Sequence, residues 1–262
     1  MNLVEKLLQL DKKDVRNSKT GTYKSGNMQQ LVGDPTITIQ EIDAERLMEL
    51  QTLPLDKAGN YNFPVYYYPV DSTNTTNIHG GDKAILPDLI TAAKHLEEMG
   101  CKCITSSCGY FAHFQKEIAE AVDISVCLSS ITLIPFLIPM LRKDEKLAIL
   151  CYNKEKLNME LFHSCNVSKK MLERCIIQDV IHEKEFSNII KDQGHYNITN
   201  ARKELVDITK DMKKNNNIGA FLLECTDMPP CSYYIQKELN VPVFDATIMV
   251  KFLNTIYGRK NK

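Results

Sequence analysis

The sequence predicts an α/β fold whose sheet is largely parallel, and two observations support this prediction. From residue 64 onward, apolar stretches typical of strands alternate with helical segments of about 10 to 15 residues, as in parallel sheets covered by helices. The same strand–helix–strand pattern also occurs twice in the chain with matching spacing. At 262 residues, the chain is long enough for one large domain or about two small ones.

The first half of this region begins with aromatic and β-branched residues over 64–70, which favour a strand. A polar segment, 71–82, predicts a loop, and apolar residues at helical spacing predict a helix over 84–98. The chain then runs from Cys101 into small residues, which predicts a short strand ending before Gly109. Further along, the pattern predicts a helix over 111–121, a strand over 124–128 and an apolar helix ending at 141.

The second half continues the alternation of strands and helices. Its predicted strands are 146–152, 174–180, 218–224 and 241–244. Its predicted helices are 200–214, a segment that begins after Cys225 and ends at 239, and 246–257. The residues after Cys225 have helix-start chemistry, because Thr226 or Asp227 can cap the helix and Pro229 suits its first turn.

Composition and charge exclude several classes of protein. The chain carries 32 basic and 33 acidic residues, whereas a dedicated nucleic-acid-binding protein has a basic excess. Its longest apolar run, 131–141, is too short and too interrupted by proline to span a bilayer. The sequence opens without the apolar stretch of a signal peptide. We therefore expect a soluble, cytoplasmic protein that binds neither nucleic acid nor membranes.

The nine cysteines are scattered through the chain, and several lie within apolar runs. An odd number in this setting is typical of reduced, buried thiols, since disulfide frameworks occur mainly in short secreted chains. Seven of the nine are explained most simply as packing residues. Cys101 and Cys103 lack a second pair of metal-ligating residues nearby, so no metal site is predicted.

The other two cysteines occupy equivalent positions in the internal repeat. Cys108 precedes Val126 by 18 residues, and Cys225 precedes Val243 by 18 residues. Each thiol is predicted at the carboxyl end of a strand and before a helix, where ligands bind in open α/β sheets. Helix N–H groups at such a position favour the thiolate and can hold a carboxylate. Two such thiols on opposite sides of a substrate can exchange a proton with it.

Two segments, 104–112 and 222–229, resemble the paired cysteine motifs of the aspartate/glutamate racemase superfamily. The order of elements from about residue 59 to residue 257 is also similar, including Gly80-Gly81-Asp82 before the first long helix. The resemblance implies two similar three-layer α/β lobes with mostly parallel sheets, related by a pseudo-twofold axis, with the active site in the cleft between them. The implied lobes are 59–131 plus 248–262 and 132–247, preceded by an N-terminal extension over 1–58.

The resemblance also implies roles for individual residues. Cys108 and Cys225 would be the catalytic acid and base, with no cofactor and no pyridoxal phosphate. Thr226 would offer its N–H and hydroxyl to a substrate carboxylate, and Asp227 would either support the second thiol or cap the helix. The other implied substrate contacts are Asn60, Ser107, Gly109 and Tyr110, although amino-acid racemases of this superfamily usually carry Asn-Thr in place of Gly109-Tyr110.

These implications predict an isomerase: a cofactor-independent racemase or epimerase that inverts the α-carbon of an amino acid or another small carboxylate. Two cysteines would transfer the proton, and a homodimer is one expected assembly. Two alternatives stay open. One is a decarboxylase or cis–trans isomerase of a small dicarboxylate on the same fold. The other is a ligand-binding relative without catalysis, for which the departure at Gly109-Tyr110 gives some support.

Overall fold

The structure is a computed structural model that describes residues 22–23, 36–37, 65–66, 68, 70–190 and 196–257. Asn60 and nearly all of the predicted extension over 1–58 lie outside these residues, so the substrate contact at Asn60 stays a prediction. The described strands are β1 (Thr22–Tyr23), β2 (Thr36–Ile37), β3 (Val65–Tyr66), β4 (Cys103–Ile104), β5 (Ser125–Val126), β6 (Lys146–Cys151), β7 (Cys175–Asp179), β8 (Tyr196–Asn197), β9 (Ile218–Leu223) and β10 (Val243–Phe244).

Helices alternate with these strands through most of the chain. The described α-helices are α1 (Thr75–Gly80), α2 (Leu86–Glu98), α3 (Gln115–Ala121), α4 (Ile134–Met140), α5 (Met159–Ser164), α6 (Lys169–Leu172), α7 (Lys184–Ile190), α8 (Ile198–Asn215), α9 (Pro229–Leu239) and α10 (Ala246–Tyr257). Short 3-10 turns lead into several of them, among them Lys83–Ile85, Gly109–Phe114 and Ser130–Leu133. The long predicted elements therefore occur where periodicity placed them, most with boundary shifts of one or two residues.

The main sheet has the strand order β10-β9-β6-β7, and all of its neighbouring strands run parallel. β4 and β5 form a second parallel pair, while β1 pairs with β8 and β2 with β3 in antiparallel fashion. The interior of β6 is buried throughout, as expected for a central parallel strand covered on both faces. The predicted α/β class with parallel sheets is confirmed, and the pseudo-twofold relation of two lobes stays a prediction.

Specific contacts join the two parallel sheets. The Ser130 hydroxyl, just beyond β5, donates to the carbonyl of Leu223 at the end of β9, at 2.9 Å. α10 follows the main sheet in the chain, yet its residues Met249 and Val250 pack against Cys103 of β4. These contacts bring the carboxyl ends of β4 and β9 to the same region of the molecule.

A helix occupies part of the predicted loop over 71–82. The Asn74 side chain accepts the Asn77 N–H at 3.0 Å, and the Asn77 side chain accepts the Asn74 N–H at 2.8 Å, so a capping box starts α1. Gly81 ends the helix in the left-handed conformation, at φ +65°. α1 is short and polar, so its caps and the burial of Ile78 and His79 stabilise it, without a long amphipathic stripe.

Three further short helices, α5, α6 and α7, are also absent from the predicted elements, and the cap of α9 differs from the prediction. Met228 precedes α9 without a side-chain cap, so neither Thr226 nor Asp227 caps this helix. All nine cysteines fall within the described ranges, and each is a free thiol. Across the described ranges, no helix is both long enough and apolar enough to cross a membrane.

Candidate active site

Cys108 lies four residues beyond β4, at the carboxyl edge of its sheet. Its backbone is extended, at φ −142° and ψ 128°, and it immediately precedes the 3-10 turn Gly109–Phe114. The Ser106 hydroxyl contacts the carbonyls of both Cys108 and Leu128, which ties this motif to the segment after β5. The Tyr110 N–H faces the Cys108 sulfur, and the side chain of Cys108 is partly exposed.

Cys225 lies two residues beyond β9, at the carboxyl edge of the main sheet. The N–H of Asp227 faces its sulfur, just as the N–H of Tyr110 faces that of Cys108. In each motif the N–H donor is the residue two positions after the cysteine. The two motifs therefore share this local geometry, which agrees with the equivalence expected from the repeat.

The two motifs are in direct contact. The Thr226 hydroxyl donates to the carbonyl of Ser107, the residue that precedes Cys108. The hydroxyl proton that was expected to bind a substrate carboxylate thus bridges the two motifs in this structure. Ser107 and Thr226 are both buried, so their first role here is to hold the two cysteine loops together.

Side-chain neighbours distinguish the two thiols. The Cys108 sulfur lies 3.8 Å from Nε2 of His79, which α1 presents to the site. The Cys225 thiol instead donates to Oδ2 of Asp227, at 3.8 Å. Asp227 therefore contacts the second thiol, as the resemblance implied. Cys108 faces a group that can accept a proton, whereas Cys225 faces a carboxylate that disfavours a second negative charge.

His79 is held between aromatic rings. Its ring lies 4.1 Å from the Tyr110 ring and 6.2 Å from the Tyr152 ring, measured between centroids. Burial, together with the charges of Lys156 and His113, lowers the pKa of His79 to about 4. The imidazole is thus neutral near pH 7, and a neutral imidazole can accept a proton at one ring nitrogen.

Both thiols are held in the protonated form. Burial raises the pKa of Cys108, and the nearby carboxyl of Glu224 raises it further. Burial and then the carboxyls of Asp227 and Glu224 raise the pKa of Cys225 as well. The expectation that helix N–H groups would lower these pKa values is wrong, because desolvation and two carboxyl groups outweigh one N–H at each sulfur.

Gly109 and Tyr110 make close contacts within the protein, and the substrate contacts expected of them stay predictions. The Tyr110 hydroxyl donates to the Asn153 carbonyl at 2.9 Å and accepts the Asn153 N–H at 2.7 Å, so backbone groups beyond β6 occupy it. Its ring forms a wall against His79. Gly109 lies against Glu224, whose carboxyl fills the space where a side chain at 109 would be.

Glu224 is the buried acid of the site. It is the first residue after β9, and its side chain is fully buried. Neither carboxylate oxygen has a hydrogen-bond partner of good geometry within the described part of the chain, although the Tyr152 backbone N–H is near enough to lower its pKa slightly. Burial dominates and raises the pKa of Glu224 to about 8.

Sequence reasoning missed two polar groups of the site, His79 and Glu224. His79 lies in a segment predicted as a loop, and the histidines show no ligand spacing that would single it out. Glu224 is the last residue of the strand predicted over 218–224, and a carboxylate at the end of a strand usually points to solvent. The only sequence feature that fits its burial is the glycine that follows the first cysteine, Gly109. The described residues contain no cluster of three or more His, Cys, Asp or Glu that suits a metal ion.

Comparison with solved structures confirms the fold. An aspartate racemase homologue from Pyrococcus horikoshii OT3 matches with a TM-score of 0.52 at 15% sequence identity, covering 82% of this chain and 92% of that protein. The chain therefore shares the fold of an aspartate racemase homologue, as the resemblance of the cysteine motifs implied. No family model matches the sequence.

Comparison with curated proteins finds lyases. The chain is 27% identical over 229 residues to a dimethylsulfoniopropionate lyase of Durusdinium sp. clade D, covering 84% of this chain and 75% of that protein. It is 29% identical over 205 residues to dimethylsulfoniopropionate lyase 7 of Emiliania huxleyi (strain CCMP1516), covering 73% of this chain and 59% of that protein. A third match, to lyase 5 of the same organism, covers 62% of this chain and 35% of that protein. The chain thus spans less than two thirds of the length of both Emiliania huxleyi relatives.

These relatives correct the functional prediction. A lyase breaks a bond by elimination, whereas a racemase or epimerase inverts a carbon centre and is an isomerase. The prediction of an amino-acid racemase is therefore wrong, and so is the predicted enzyme class. The decarboxylase and cis–trans isomerase alternatives also name reactions other than that of the relatives. One fold supports several chemistries, and the fold was the part that the resemblance could establish.

Proposed function

We propose that this chain is a lyase that cleaves dimethylsulfoniopropionate, or a closely related sulfonium propionate, by β-elimination. The observation that carries the proposal is the sequence similarity to dimethylsulfoniopropionate lyases, which covers 84% of the chain in one relative and 62% to 73% in the others. The unequal surroundings of the two thiols support it, because an elimination needs one base on carbon, whereas inversion needs two.

The chemistry follows from the substrate. Dimethylsulfoniopropionate carries a dimethylsulfonium group on C3 and a carboxylate on C2. A base removes a proton from C2, the electrons of that C–H bond form the C2=C3 double bond, and the C3–S bond breaks with its electron pair on sulfur. The products are dimethyl sulfide and acrylate, and the base holds the proton. The balance requires no oxidant and no reductant.

Cys108 and His79 supply the base in this proposal. His79 Nε2 lies 3.8 Å from the Cys108 sulfur, within reach of the thiol proton once a substrate tightens the contact. The resting pair is neutral, because the pKa of His79 is lowered and that of Cys108 is raised. A cationic substrate beside the sulfur favours the thiolate and so favours proton transfer to His79. After elimination, the substrate proton stays on Cys108 and His79 returns its proton to water.

The test is a direct assay with the purified chain. We expect dimethyl sulfide in the headspace and an equal amount of acrylate in solution when dimethylsulfoniopropionate is added. Cys108→Ala abolishes both products, and His79→Gln lowers the rate about 10²- to 10⁴-fold, the usual contribution of a general base. Two matched controls retain the rate: Cys231→Ala, a buried thiol on α9 outside the site, and His163→Gln, an exposed histidine.

Two results would overturn the proposal. One is the absence of both products with folded wild-type protein across a range of pH. The other is an undiminished rate in Cys108→Ala, which would remove the proposed base. Folding of each variant is checked by its thermal unfolding midpoint, so that a lost activity is not read from an unfolded protein.

A further inference from the structure

Glu224 is a buried acidic residue that takes no part in the elimination mechanism proposed above. Its backbone N–H donates to the Leu150 carbonyl at 2.8 Å, which continues the ladder between β9 and β6 by one residue. The side chain is 0% exposed, and both of its oxygens lack a hydrogen-bond partner of good geometry among the described residues. A buried polar group in this state carries a free-energy cost and needs an explanation.

The lack of a side chain at Gly109 leaves space for the Glu224 carboxyl. A Cβ built on Gly109 would lie 2.1 Å from Oε1 of Glu224 and 2.4 Å from its main-chain carbonyl oxygen. Residue 109 directly follows Cys108, so the carboxyl reaches from the second cysteine motif to the backbone of the first. Glu224 therefore joins the two cysteine motifs, and its charge acts on both thiols.

The titratable groups facing Glu224 are all acids or neutral groups. Its charge acts on the thiols of Cys108, Cys151 and Cys225 and on the phenol of Tyr110. The remaining neighbour with an effect on its pKa is the Tyr152 backbone. No lysine, arginine or histidine contributes to its pKa within the part of the chain that the structure describes, so the carboxylate form has no counterion among those residues. An ionised buried carboxylate without a counterion is strongly disfavoured.

We propose that Glu224 is the counterion for the cationic end of the substrate, so that the site selects a sulfonium, or an ammonium of the same shape, over a neutral group. This inference rests on the proposed function and deepens it by assigning the charge-recognition subsite. A bound cation supplies the positive charge that the buried carboxylate lacks.

The two thiols take different tasks in this proposal. Glu224 and Asp227 act on both thiols, and the neutral His79 lies beside the Cys108 sulfur. The base is therefore on the Cys108 side. Cys225, whose thiol donates to Asp227, stays protonated.

Cation binding is coupled to release of a proton. Burial raises the pKa of Glu224 to about 8, so the carboxyl is mostly protonated near pH 7. A cation binds to the ionised form, and the carboxyl proton passes to the solvent. The apparent affinity for a cationic ligand therefore falls about tenfold for each pH unit below 8, whereas that for a neutral ligand does not change through this group.

Calorimetry with two ligands of the same shape tests the proposal. Dimethylsulfoniopropionate and 4-methylpentanoate differ by S⁺ in place of C–H, so one is cationic at that end and the other neutral. Titrations use Cys108→Ala, which cannot turn the substrate over, alone and combined with Glu224→Gln. We expect Cys108→Ala to bind the sulfonium at least tenfold more tightly than the isostere and to release close to one proton per sulfonium at pH 7. The added Glu224→Gln change removes both effects.

The outcomes separate this proposal from the lyase assignment. Equal affinities for the two ligands, or a preference that Glu224→Gln leaves intact, would overturn the subsite even if the wild-type protein produces dimethyl sulfide. A Glu224-dependent preference without dimethyl sulfide production would retain the subsite and refute the lyase assignment. If neither ligand binds, the subsite is refuted. If Glu224→Gln fails to fold, the titrations of Cys108→Ala alone still test the subsite. The subsite is refuted if Cys108→Ala shows no preference for the sulfonium or releases no proton when the sulfonium binds.

Discussion

The two cysteines have the same backbone setting, and their side-chain neighbours separate them. Each sulfur faces the N–H of the residue two positions later. Beyond that shared contact, Cys108 meets the neutral His79 and Cys225 meets Asp227. A symmetric pair of acid/bases would need two similar thiols. The unequal pair instead suits a reaction in which one group takes a proton and the other stays protonated.

Gly109 is required by the close approach of Glu224. A Cβ at this position would lie 2.1 Å from a carboxylate oxygen of Glu224 and 2.4 Å from its main-chain carbonyl oxygen, and main-chain atoms cannot rotate away as the end of a side chain can. We expect Gly109→Ala to lower the free energy of unfolding by about 1 to 3 kcal/mol, the usual cost of overpacking. Chemical denaturation measures the loss.

Gly80→Ala is the matched control for that substitution. A Cβ at Gly80 meets nothing within 4 Å, and the residue is helical, so the change leaves stability unaltered or raises it slightly. An unchanged unfolding free energy in Gly109→Ala would mean that Glu224 can leave its position without cost. That result would contradict the tight fit on which the role of Glu224 depends.

At the scale of elements, α1 is the part of the fold that delivers His79 to Cys108. Asn74 and Asn77 cap each other's N–H groups at its start, and Gly81 closes it. We expect Asn74→Ala to cost about 1 kcal/mol of stability and also to lower kcat, because the helix that holds the imidazole is loosened. Thermal unfolding and the dimethyl sulfide assay measure the two effects.

A second cap distinguishes a local effect on the site from a general loss of stability. The Ser168 hydroxyl accepts the Met171 N–H at 3.3 Å and caps α6, which packs against α4 and β7. Ser168→Ala should reduce stability by a similar amount and leave kcat unchanged. If both variants lower kcat equally, α1 has no special role in positioning His79.

The elements show what periodicity could and could not predict. α10 occurs at the predicted bounds, 246–257, because it carries a clear apolar stripe. α1 was missed because its six residues are mostly polar, and its stability comes from caps and from the burial of His79. The same reason applies to α6, whose four residues carry no periodic signal. Short capped helices depend on tertiary packing that sequence patterns do not record.

Some residues of the site could likewise be predicted from the sequence, and others could not. Cys108 and Cys225 could be found because a repeat of 18 residues marks equivalent strand ends. Glu224 could not, because its chemistry depends on burial between two loops that are more than 100 residues apart in the chain. The reaction could not be inferred either, since the fold and the paired cysteines are compatible with several reactions.

At the scale of the whole molecule, the site exists only where the two parallel sheets meet. The bond from Thr226 to Ser107 and that from Ser130 to Leu223 join the carboxyl edges of β4 and β9. Glu224 lies at this junction, so its burial reflects the folding of both parts of the chain. Its titration is therefore a measure of global stability as well as of the local site.

The ionisation of Glu224 should be visible in the pH dependence of the free energy of unfolding. Its pKa is about 8 in the folded protein, against 4.5 for an unperturbed glutamate, so between these values the folded state holds a proton that the unfolded state has lost. Stability from this group is therefore present below about pH 4.5 and is lost as pH rises toward 8. The slope is about 1.4 kcal/mol per pH unit, and the full loss is on the order of 5 kcal/mol.

His79 opposes this trend over part of the range. Its pKa is about 4 in the folded protein against 6.5 unperturbed, so stability from this group rises with pH between those values. The two effects offset each other between about pH 4.5 and 6.5, and the loss from Glu224 emerges between about 6.5 and 8. Denaturant unfolding of the wild-type protein and of Glu224→Gln at a series of pH values isolates it. The wild type should lose stability relative to the variant as pH rises to 8, and parallel curves would show that Glu224 ionises as freely as an exposed carboxyl.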